Sequence, residues 1–495
     1  MSKINEDPSA MQQLLNSIQF VFDEKLTVID FSQPSAPPPT TTVLNYLRSL
    51  PDHKGVKEGC AEGDCGACTV VVAEPENDSL VYKAINSCIV FLPFLHGKQL
   101  ITVENLSQTI KGEKVLHPVQ QLMIELHGSQ CGYCSPGIVM SLFALYKNHR
   151  NANRATVEDA LAGNLCRCTG YQPIIEAGIK AVQYDGRDHF SEKEKNVLIL
   201  LKEINSAKTK IAVNKNGCQY YLPITLDDCL AIYRENPTLL VINGATDVAL
   251  LQTKKMETLN NLLDISHVAE LNFFRETENV YEIGASFSFE ALKKRLAGKL
   301  PVAEQMLEVF ASKQIRNTAT PGGNIVSASP IADSLPVWFV LDASVKLISS
   351  AGYRTLPIYQ LITGYRTTAL LPGELLYSLI VPKPSEACIF RFYKISKRRD
   401  LDISTVSLAA KVLWDTNKIK DIMLVYGGMA ATPLRAGATE TFLKGKEWTE
   451  ENAEKASLIT EKEFSPISDA RSGKRARSLM AKNLIIKLFS ETQLL

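Results

Sequence analysis

The 495-residue chain has no apolar run approaching the ~18 residues that a membrane-spanning helix needs. It has no excess of either charge. With 54 basic and 53 acidic residues the net charge is +1, so nothing marks out a nucleic-acid or membrane surface. The polar stretch Met1 to Asn16 carries no basic-then-apolar signal, and that absence argues for the cytoplasm. Neither G-x-G-x-x-G nor G-x-x-x-x-G-K-[ST] occurs, so neither the common dinucleotide fold nor a P-loop is expected. Core-forming material is plentiful. A 45% hydrophobic content supplies several cores, and the length suggests about three to five domains. In a reducing compartment the clusters among the 11 cysteines are expected to serve metals rather than disulfides.

One set is Cys60-Ala-Glu-Gly-Asp-Cys65-Gly-Ala-Cys68, followed by a β-rich segment through Val72 and by Cys88. The spacing C-x4-C-x2-C with a later fourth cysteine is the plant-type [2Fe–2S] pattern. Gly59, Gly63 and Gly66 permit positive φ and close approach of backbone amides to sulfur, which a zinc site would not require. Upstream, Ile18 to Phe31 alternates as a strand hairpin with Asp23-Glu24-Lys25 in the turn. Pro34 to Pro39 reads as a surface loop and Thr40 to Leu50 as a capped helix.

The other set spans Gly128 to Tyr171, with Cys131 and Cys134 at its head and Cys166 and Cys168 at its tail. Ser135-Pro136 predicts an N-cap and a first helical residue, with Ile138, Leu142 and Leu145 on one face. Thr156 with Asp159 resembles a capping box, and Gly170 with Pro173 prepares a third helix carrying Ile174, Ile175 and Ile179. Each cysteine pair then sits in a turn beside a helix start, where amides and the helix dipole favour negative charge. A zinc tetrad is the alternative, although zinc usually shows two-residue gaps in both pairs and a shorter spacer. The isolated Cys218, Cys229 and Cys388 are expected to be small buried hydrophobes.

His117-Pro118 opens a helix, and the charged Asp185 to Asn216 stretch reads as a linker. Beyond it, a helix Leu226 to Tyr233 and an apolar strand from Leu239 lead to Gly244-Ala-Thr-Asp-Val, which by itself reads as a plain strand-to-helix turn, although such a turn can offer amides to a phosphate. Ala319 to Asp333 reads either as an ordinary surface loop or as a second donor-rich loop suited to a pyrophosphate or ribityl chain, with Asp333 as an acceptor. Lys394, Lys397, Arg398 and Arg399 precede Asp400 and Asp402 as a solvated charge cluster. Arg471 to Phe489 reads as a basic amphipathic helix.

The motifs beginning at Gly59, His127 and Gly163 resemble the xanthine dehydrogenase branch of the molybdenum hydroxylases. The Thr320–Asp333 loop and the Lys-x-Ser-x-Arg segment from Lys394 to Arg398 resemble its FAD domain. The resemblance implies a multidomain α+β chain. A plant-type ferredoxin β-grasp domain would occupy 16–103, an all-α [2Fe–2S] domain 104–185 and a linker 186–216. A two-lobed FAD domain would occupy 217–386 and a C-terminal α/β domain 387–495. It implies that Cys60, Cys65, Cys68 and Cys88 bind one cluster, and that Cys131, Cys134, Cys166 and Cys168 bind the one nearest the molybdopterin. Gln130 and Cys168 match positions that approach the pterin. Gly244, Ala245, Thr246, Asp247 and Val248 would cradle the FAD pyrophosphate. Thr320, Gly323, Asn324, Ser327 and Asp333 would line the rest, with Lys394 near the isoalloxazine. No catalytic acid or base is expected. The chain ends near where the FAD half of the family ends, which implies the small subunit of a split enzyme. Such a subunit would join a molybdopterin-binding large subunit in a heterotetramer of two small and two large chains. Electrons would pass from molybdenum through both clusters to FAD and NAD+, with O2 as the alternative acceptor. Aldehydes or N-heterocycles are the alternative substrates. A zinc-bearing interaction protein is the alternative of another class.

Overall fold

The hairpin turn Asp23-Glu24 places both residues at positive φ (47° and 62°), the two-residue geometry that matches strand twist. It joins strands Ser17–Phe22 and Lys25–Asp30, and Lys25, expected in the turn, instead pairs with Phe22 as the first residue of the second strand. These belong to a five-stranded sheet with Thr69–Glu76, Ser79–Asn86 and Gln99–Ile101, in which the first strand runs parallel to the last. The helix Val43–Ser49, capped by the Thr42 hydroxyl, buries Val43, Leu44 and Leu47. This is the ferredoxin-type β-grasp domain. The structure, a computed structural model, describes residues 15–184, 187–207, 209–384 and 388–492. It divides into one compact unit up to Ala269 and another from Glu270.

Within the first unit, helices Pro118–Glu125, Ser135–Asn148, Arg154–Leu161 and Gln172–Val182 form the all-α domain. The expected caps shift. Cys134, not Ser135, occupies the N-cap of the second helix and makes no side-chain capping bond there. Asn153, not Thr156, caps the third, its carboxamide accepting from Thr156 N–H. The Ser135–Asn148 helix is buried from Gly137 through Tyr146 rather than on one face, because it runs between the ferredoxin sheet and the other helices.

The segment expected as a linker is mostly structured. An 18-residue helix, His189–Ser206, is followed by strand Ile211–Lys215. The alternating lysines and glutamates form its wet face. Phe190, Val197, Leu198, Leu201 and Ile204 pack into the core that the ferredoxin and helical domains share. Asp188 caps this helix and is buried with His117 (3.2 Å) and Lys147 (2.9 Å). Lys193 and Lys202 then pair with Glu24 and Asp78 of the ferredoxin domain.

Strands Ile211–Lys215, Cys218–Leu222, Asn261–Asp264 and Leu240–Ile242 complete the first unit as a four-stranded sheet, in the stretch where the resemblance implies the first lobe of an FAD domain. The second unit holds a five-stranded antiparallel sheet, ordered Phe274–Glu276, Val280–Gly284, Leu375–Pro382, Ser344–Ser349, Gly352–Pro357. It also holds an antiparallel sheet of Cys388–Ile395, Val406–Asp415, Lys418–Gly427 and Leu434–Arg435, packed with helices Gly437–Leu443, Glu450–Glu463 and Lys474–Thr492. The expected boundary at 386/387 lies outside the described residues. Cys218 and Cys229 are buried as expected, whereas Cys388 is only partly so, at the start of an edge strand.

Candidate cofactor sites

The loop between helix Val43–Ser49 and strand Thr69–Glu76 brings Cys60, Cys65 and Cys68 to Cys88, which lies in a single turn after strand Ser79–Asn86. Gly63 and Gly66 have φ of 77° and 70°, and Ala61 is also left-handed, which curls the loop round its sulfurs. The amides of Glu62 and Asp64 point at Cys60 Sγ, at 3.5 and 3.2 Å. Thiols of Cys65 and Cys88 donate to the same sulfur and, with those amides, hold Cys60 far below the usual thiol range. Cys65 and Cys88 are pushed upward in turn, by giving their protons to neighbours and by burial.

The second tetrad forms where the turn before helix Ser135–Asn148 meets the turn before helix Gln172–Val182. Cys134 meets Cys166, and Cys131 meets Cys168. Burial and sharing with Cys166 push Cys134 up to about 12. Burial also raises Cys166, but the Thr169 hydroxyl, 3.1 Å away, and nearby amides outweigh it and leave that thiol lowered. Cys131 and Cys168 are exposed, as are Gln130, Tyr133 and Leu165 around them.

Sulfurs packed this tightly share protons because adjacent thiolates repel, so each set calls for a cationic centre. Among the described residues no three His, Cys, Asp or Glu side chains are set as the shell of one metal ion. A two-iron core makes a different demand, four thiolates around a larger centre with amides directed at sulfur, and both tetrads fit it.

The two tetrads are adjacent. Leu165 N–H donates to Cys65 C=O at 3.0 Å. Asn164, buried, donates to Gly66 C=O at 3.1 Å and accepts from Ser141 at 2.6 Å. Tyr133 hydroxyl donates to Glu58 C=O at 2.5 Å. These contacts escaped sequence reading because their partners lie far apart in the chain, 98 residues for Asn164 and Gly66.

The Gly244–Val248 turn lies in the first unit. Among the described residues the amides of Gly244, Ala245 and Thr246 have no acceptor, and Ala245 takes a φ of 55°. Gly244 and Ala245 line a narrow crevice with Phe91, Phe94, Tyr220 and Asp264. Asp264 is held above its usual range by burial, although the Tyr220 hydroxyl donates to it at 2.6 Å. The following helix, Ala249–Thr253, ends at Lys254, whose ammonium reaches Cys60 C=O at 3.3 Å and pairs with Glu62.

Thr320, Gly323, Asn324, Ser327, Asp333 and Lys394 lie in the second unit. Here the expected loop is in part a helix, Pro321–Val326, capped by the Thr320 hydroxyl. Its amides are engaged within the chain. Gly322 donates to Ala285 C=O, Gly323 to Thr320 Oγ1 and Asn324 to Thr320 C=O. Side chains and open space over the exposed Gly323 are what this stretch offers a ligand. Asn324 Oδ1 accepts from Ser334 at 2.5 Å, and the Ser327 hydroxyl donates to Asn324 C=O. Lys394, expected near a flavin ring, is buried against Asp333 at 2.9 Å and also donates to Val309 C=O.

Residues 32–92 match the 2Fe-2S iron-sulfur cluster binding domain and 102–179 the [2Fe-2S] binding domain. Residues 214–384 match the FAD binding domain in molybdopterin dehydrogenase, and 391–492 the CO dehydrogenase flavoprotein C-terminal domain. The chain belongs to the molybdenum hydroxylase family and carries its iron–sulfur and FAD part, with two [2Fe–2S] clusters and FAD as cofactors. Among individual proteins it is 33% identical over 492 residues to the xanthine dehydrogenase of Emericella nidulans, covering 88% of this chain and 35% of that protein. It is 33% identical over 483 residues to xanthine dehydrogenase of Oryza sativa subsp. japonica, covering 82% and 35% respectively. The chain thus spans about a third of the length of these curated relatives. Reconstituted CO dehydrogenase from Oligotropha carboxidovorans aligns with a TM-score of 0.51 at 25% identity, over 55% of this chain and 96% of that one. Quinoline 2-oxidoreductase from Pseudomonas putida 86 shares the fold, with a TM-score of 0.52 at 23% identity over 55% and 95%. Among the described residues no helix is long and apolar enough to cross a membrane.

Proposed function

We propose that this chain is the electron-transfer subunit of a cytoplasmic xanthine dehydrogenase, linking a molybdopterin centre on a partner chain to NAD+. Cys131, Cys134, Cys166 and Cys168 hold the cluster that faces the partner, and Cys60, Cys65, Cys68 and Cys88 hold the inner one. The Gly244–Val248 turn takes the FAD pyrophosphate, and residues from Thr320 to Asp333 take the remainder. Clusters pass single electrons and hydride transfer needs two, so the flavin is the cofactor that joins these regimes. The protein's part is to hold the centres in order and tune them.

The observation that carries this reading is the sequence of contacts in the first unit. An exposed thiol pair leads through Leu165–Cys65 to the inner tetrad, and Cys60 is tied by Lys254 to the helix following the phosphate turn. The relatives' printed activity supports xanthine as the substrate. The test is to purify the chain and measure iron, labile sulfide and flavin, then NADH-to-dye turnover. Xanthine oxidation is then assayed with and without a molybdopterin-binding large subunit, and the stoichiometry of the complex is determined. We expect two iron atoms per tetrad, dye reduction by the chain alone and xanthine oxidation only in the complex, a heterotetramer. Zinc in place of iron, or a complex that oxidises quinoline or an aldehyde but not xanthine, would overturn it.

A further inference from the structure

Arg477 is among the largest wholly buried side chains of the second unit, 1% exposed in the first turn of helix Lys474–Thr492. Its Nη1 donates to two backbone carbonyls, Thr405 C=O at 2.5 Å and Gly428 C=O at 3.0 Å. Its Nη2 donates to both oxygens of Asp469, at 2.9 and 2.8 Å. The two carbonyls belong to neighbouring strands. Thr405 precedes Val406–Asp415 and Gly428 follows Lys418–Gly427, and the ladder between these strands ends at the Ser407–Gly427 pair. Where the ladder stops, one guanidinium holds both strand ends.

Both held residues lead to the stretch that ends at Asp333. Gly428 N–H donates to Pro330 C=O at 2.8 Å. Ser404, one residue before Thr405, donates its hydroxyl to Asp333 Oδ1 at 2.5 Å. The other oxygen, Oδ2, pairs with Lys394 at 2.9 Å, and Lys394 lies opposite Ser407 in the same sheet. Arg477 therefore reaches Pro330 and Asp333 by two separate short arms. Gly428 has a φ of 77°, and a Cβ there would lie 2.5 Å from Thr405 oxygen, so the clamp closes only round a glycine.

Such a clamp needs an arginine. A lysine keeps the charge, but a point charge cannot serve two carbonyls and a carboxylate in the fixed directions of a guanidinium. Docking of the helix does not rest on Arg477 alone, because the Tyr426 hydroxyl joins the same sheet to the same helix by donating to Ala481 C=O at 3.1 Å. What Arg477 adds is the hold on the two residues that bond the Pro330–Asp333 stretch.

Resting on the reading that residues up to Asp333 take the flavin end of FAD, with Lys394 beside them, we infer that Arg477 is a positioning residue for the flavin. It acts through Thr405–Ser404 and through Gly428 to fix the Asp333 carboxylate and, with it, the Lys394 ammonium. A cation held beside a flavin favours the reduced form, which carries more negative charge, and a cation less firmly held favours it less. Arg477 itself moves no proton and no electron.

The test uses the full chain with its clusters, stripped of FAD and retitrated. Arg477→Lys, Asp469→Asn, Ser404→Ala and Tyr426→Phe are compared with wild type. FAD affinity is read from quenching of flavin fluorescence, flavin potential from equilibration with redox dyes, and fold from melting temperature and the EPR of both clusters. We expect Arg477→Lys to bind FAD several-fold more weakly and to lower the flavin potential, with both cluster signals unchanged. Asp469→Asn, which leaves the guanidinium in place with a weaker anchor, should shift both readings the same way by less. Ser404→Ala breaks one arm, so combined with Arg477→Lys it should weaken binding by less than the product of the separate fold-changes. Tyr426→Phe should melt earlier and leave flavin affinity and potential alone. Wild-type affinity and potential in Arg477→Lys, fully multiplicative effects in the double variant, or an equal shift in Tyr426→Phe overturns the inference. Should Arg477→Lys fail to fold, Asp469→Asn and its combination with Ser404→Ala decide in its place. Asp333→Asn and Lys394→Met probe the underlying reading. If neither alters FAD binding, the flavin does not lie at this stretch, whereas an effect there without one in Arg477→Lys defeats only the role of Arg477.

Discussion

Lys394 and Asp333 form a buried ion pair, 2.9 Å apart and 3% and 7% exposed, across the junction of strand Cys388–Ile395 and the end of the Thr320–Asp333 stretch. Ser404 donates to the same carboxylate at 2.5 Å, so its lone pairs are well occupied. Removing the lysine leaves a charge buried without its counter-ion, which generally costs about 3–5 kcal/mol. Lys394→Met should therefore lower the urea midpoint of the second unit and reduce FAD content. Midpoint and flavin retention both equal to wild type would show that the pair organises nothing.

Gly322 and Gly323 are neighbours with opposite duties. A Cβ on Gly322 would lie 2.5 Å from Ala285 oxygen, whereas one on Gly323 meets only Thr320 Oγ1, at 3.3 Å, and otherwise faces solvent. Gly322→Ala should destabilise the fold by at least about 1–3 kcal/mol, as overpacking does. Gly323→Ala should fold and melt nearly normally yet bind FAD more weakly, because its added methyl occupies ligand space. Flavin content measured on folded protein separates the two. Normal flavin content in Gly323→Ala would remove this glycine from the binding surface.

Asp188 anchors the helix that braces both cluster domains. Burial alone would raise its pKa, but bonds from His117 and Ser191 and the Lys147 ammonium outweigh that and hold the carboxyl well below its usual range. A depressed carboxyl contributes stability that is complete above the unfolded value, 3.8, and lost as pH falls through the folded one. Asp188→Asn should lose about 3–5 kcal/mol at pH 7, because Lys147 stays buried without its partner. Its stability should also vary less with acid than that of wild type. Parallel pH dependence in the two proteins would contradict this.

The cysteine frame was legible because cluster ligation constrains spacing, and Cys60-x4-Cys65-x2-Cys68 meets that constraint whatever surrounds it. The hairpin was legible from partial alternation on either side of Asp23-Glu24, although Phe20, Val21 and Phe22 are all buried and Lys25 belongs to the second strand rather than the turn. Cap positions were not, since Asn153 and Thr156 are both plausible capping residues and only the helix path decides between them. The His189–Ser206 helix carried its signal in Val197, Leu198, Leu201 and Ile204 at helical spacing, but the Glu192–Lys195 charges drew the reading toward linker. The phosphate turns could not be ranked from sequence. Both contain glycine, and only the structure distinguishes free amides at Gly244–Thr246 from engaged ones at Gly322–Asn324. Long-range contacts such as Asn164–Gly66 leave no local trace.

The ferredoxin domain meets the first FAD-region lobe through two buried imidazoles, and these make the first unit sensitive to mild acid. His267 Nε2–H donates to His96 C=O at 3.1 Å, and His96 Nδ1 accepts from Gln19 N–H at 3.1 Å. Burial, with the Lys98 ammonium beside both rings, pushes His96 down to about 4 and His267 to about 3, from 6.5. Lys98 itself pairs with Glu74, which also binds Lys83, so the nearby carboxylate is already committed. Both rings are neutral in the folded protein and take up protons on unfolding below pH 6.5. Their contribution is therefore intact above 6.5 and declines as pH falls toward 4, by about 1.4 kcal/mol per pH unit for each ring. Urea unfolding of the wild type should show this decline between pH 6.5 and 4. The double variant His96→Asn, His267→Asn should begin less stable at pH 7 and show a much shallower slope across the same window. Equal slopes in the two proteins would mean that other groups carry the acid sensitivity and that these imidazoles titrate alike folded and unfolded.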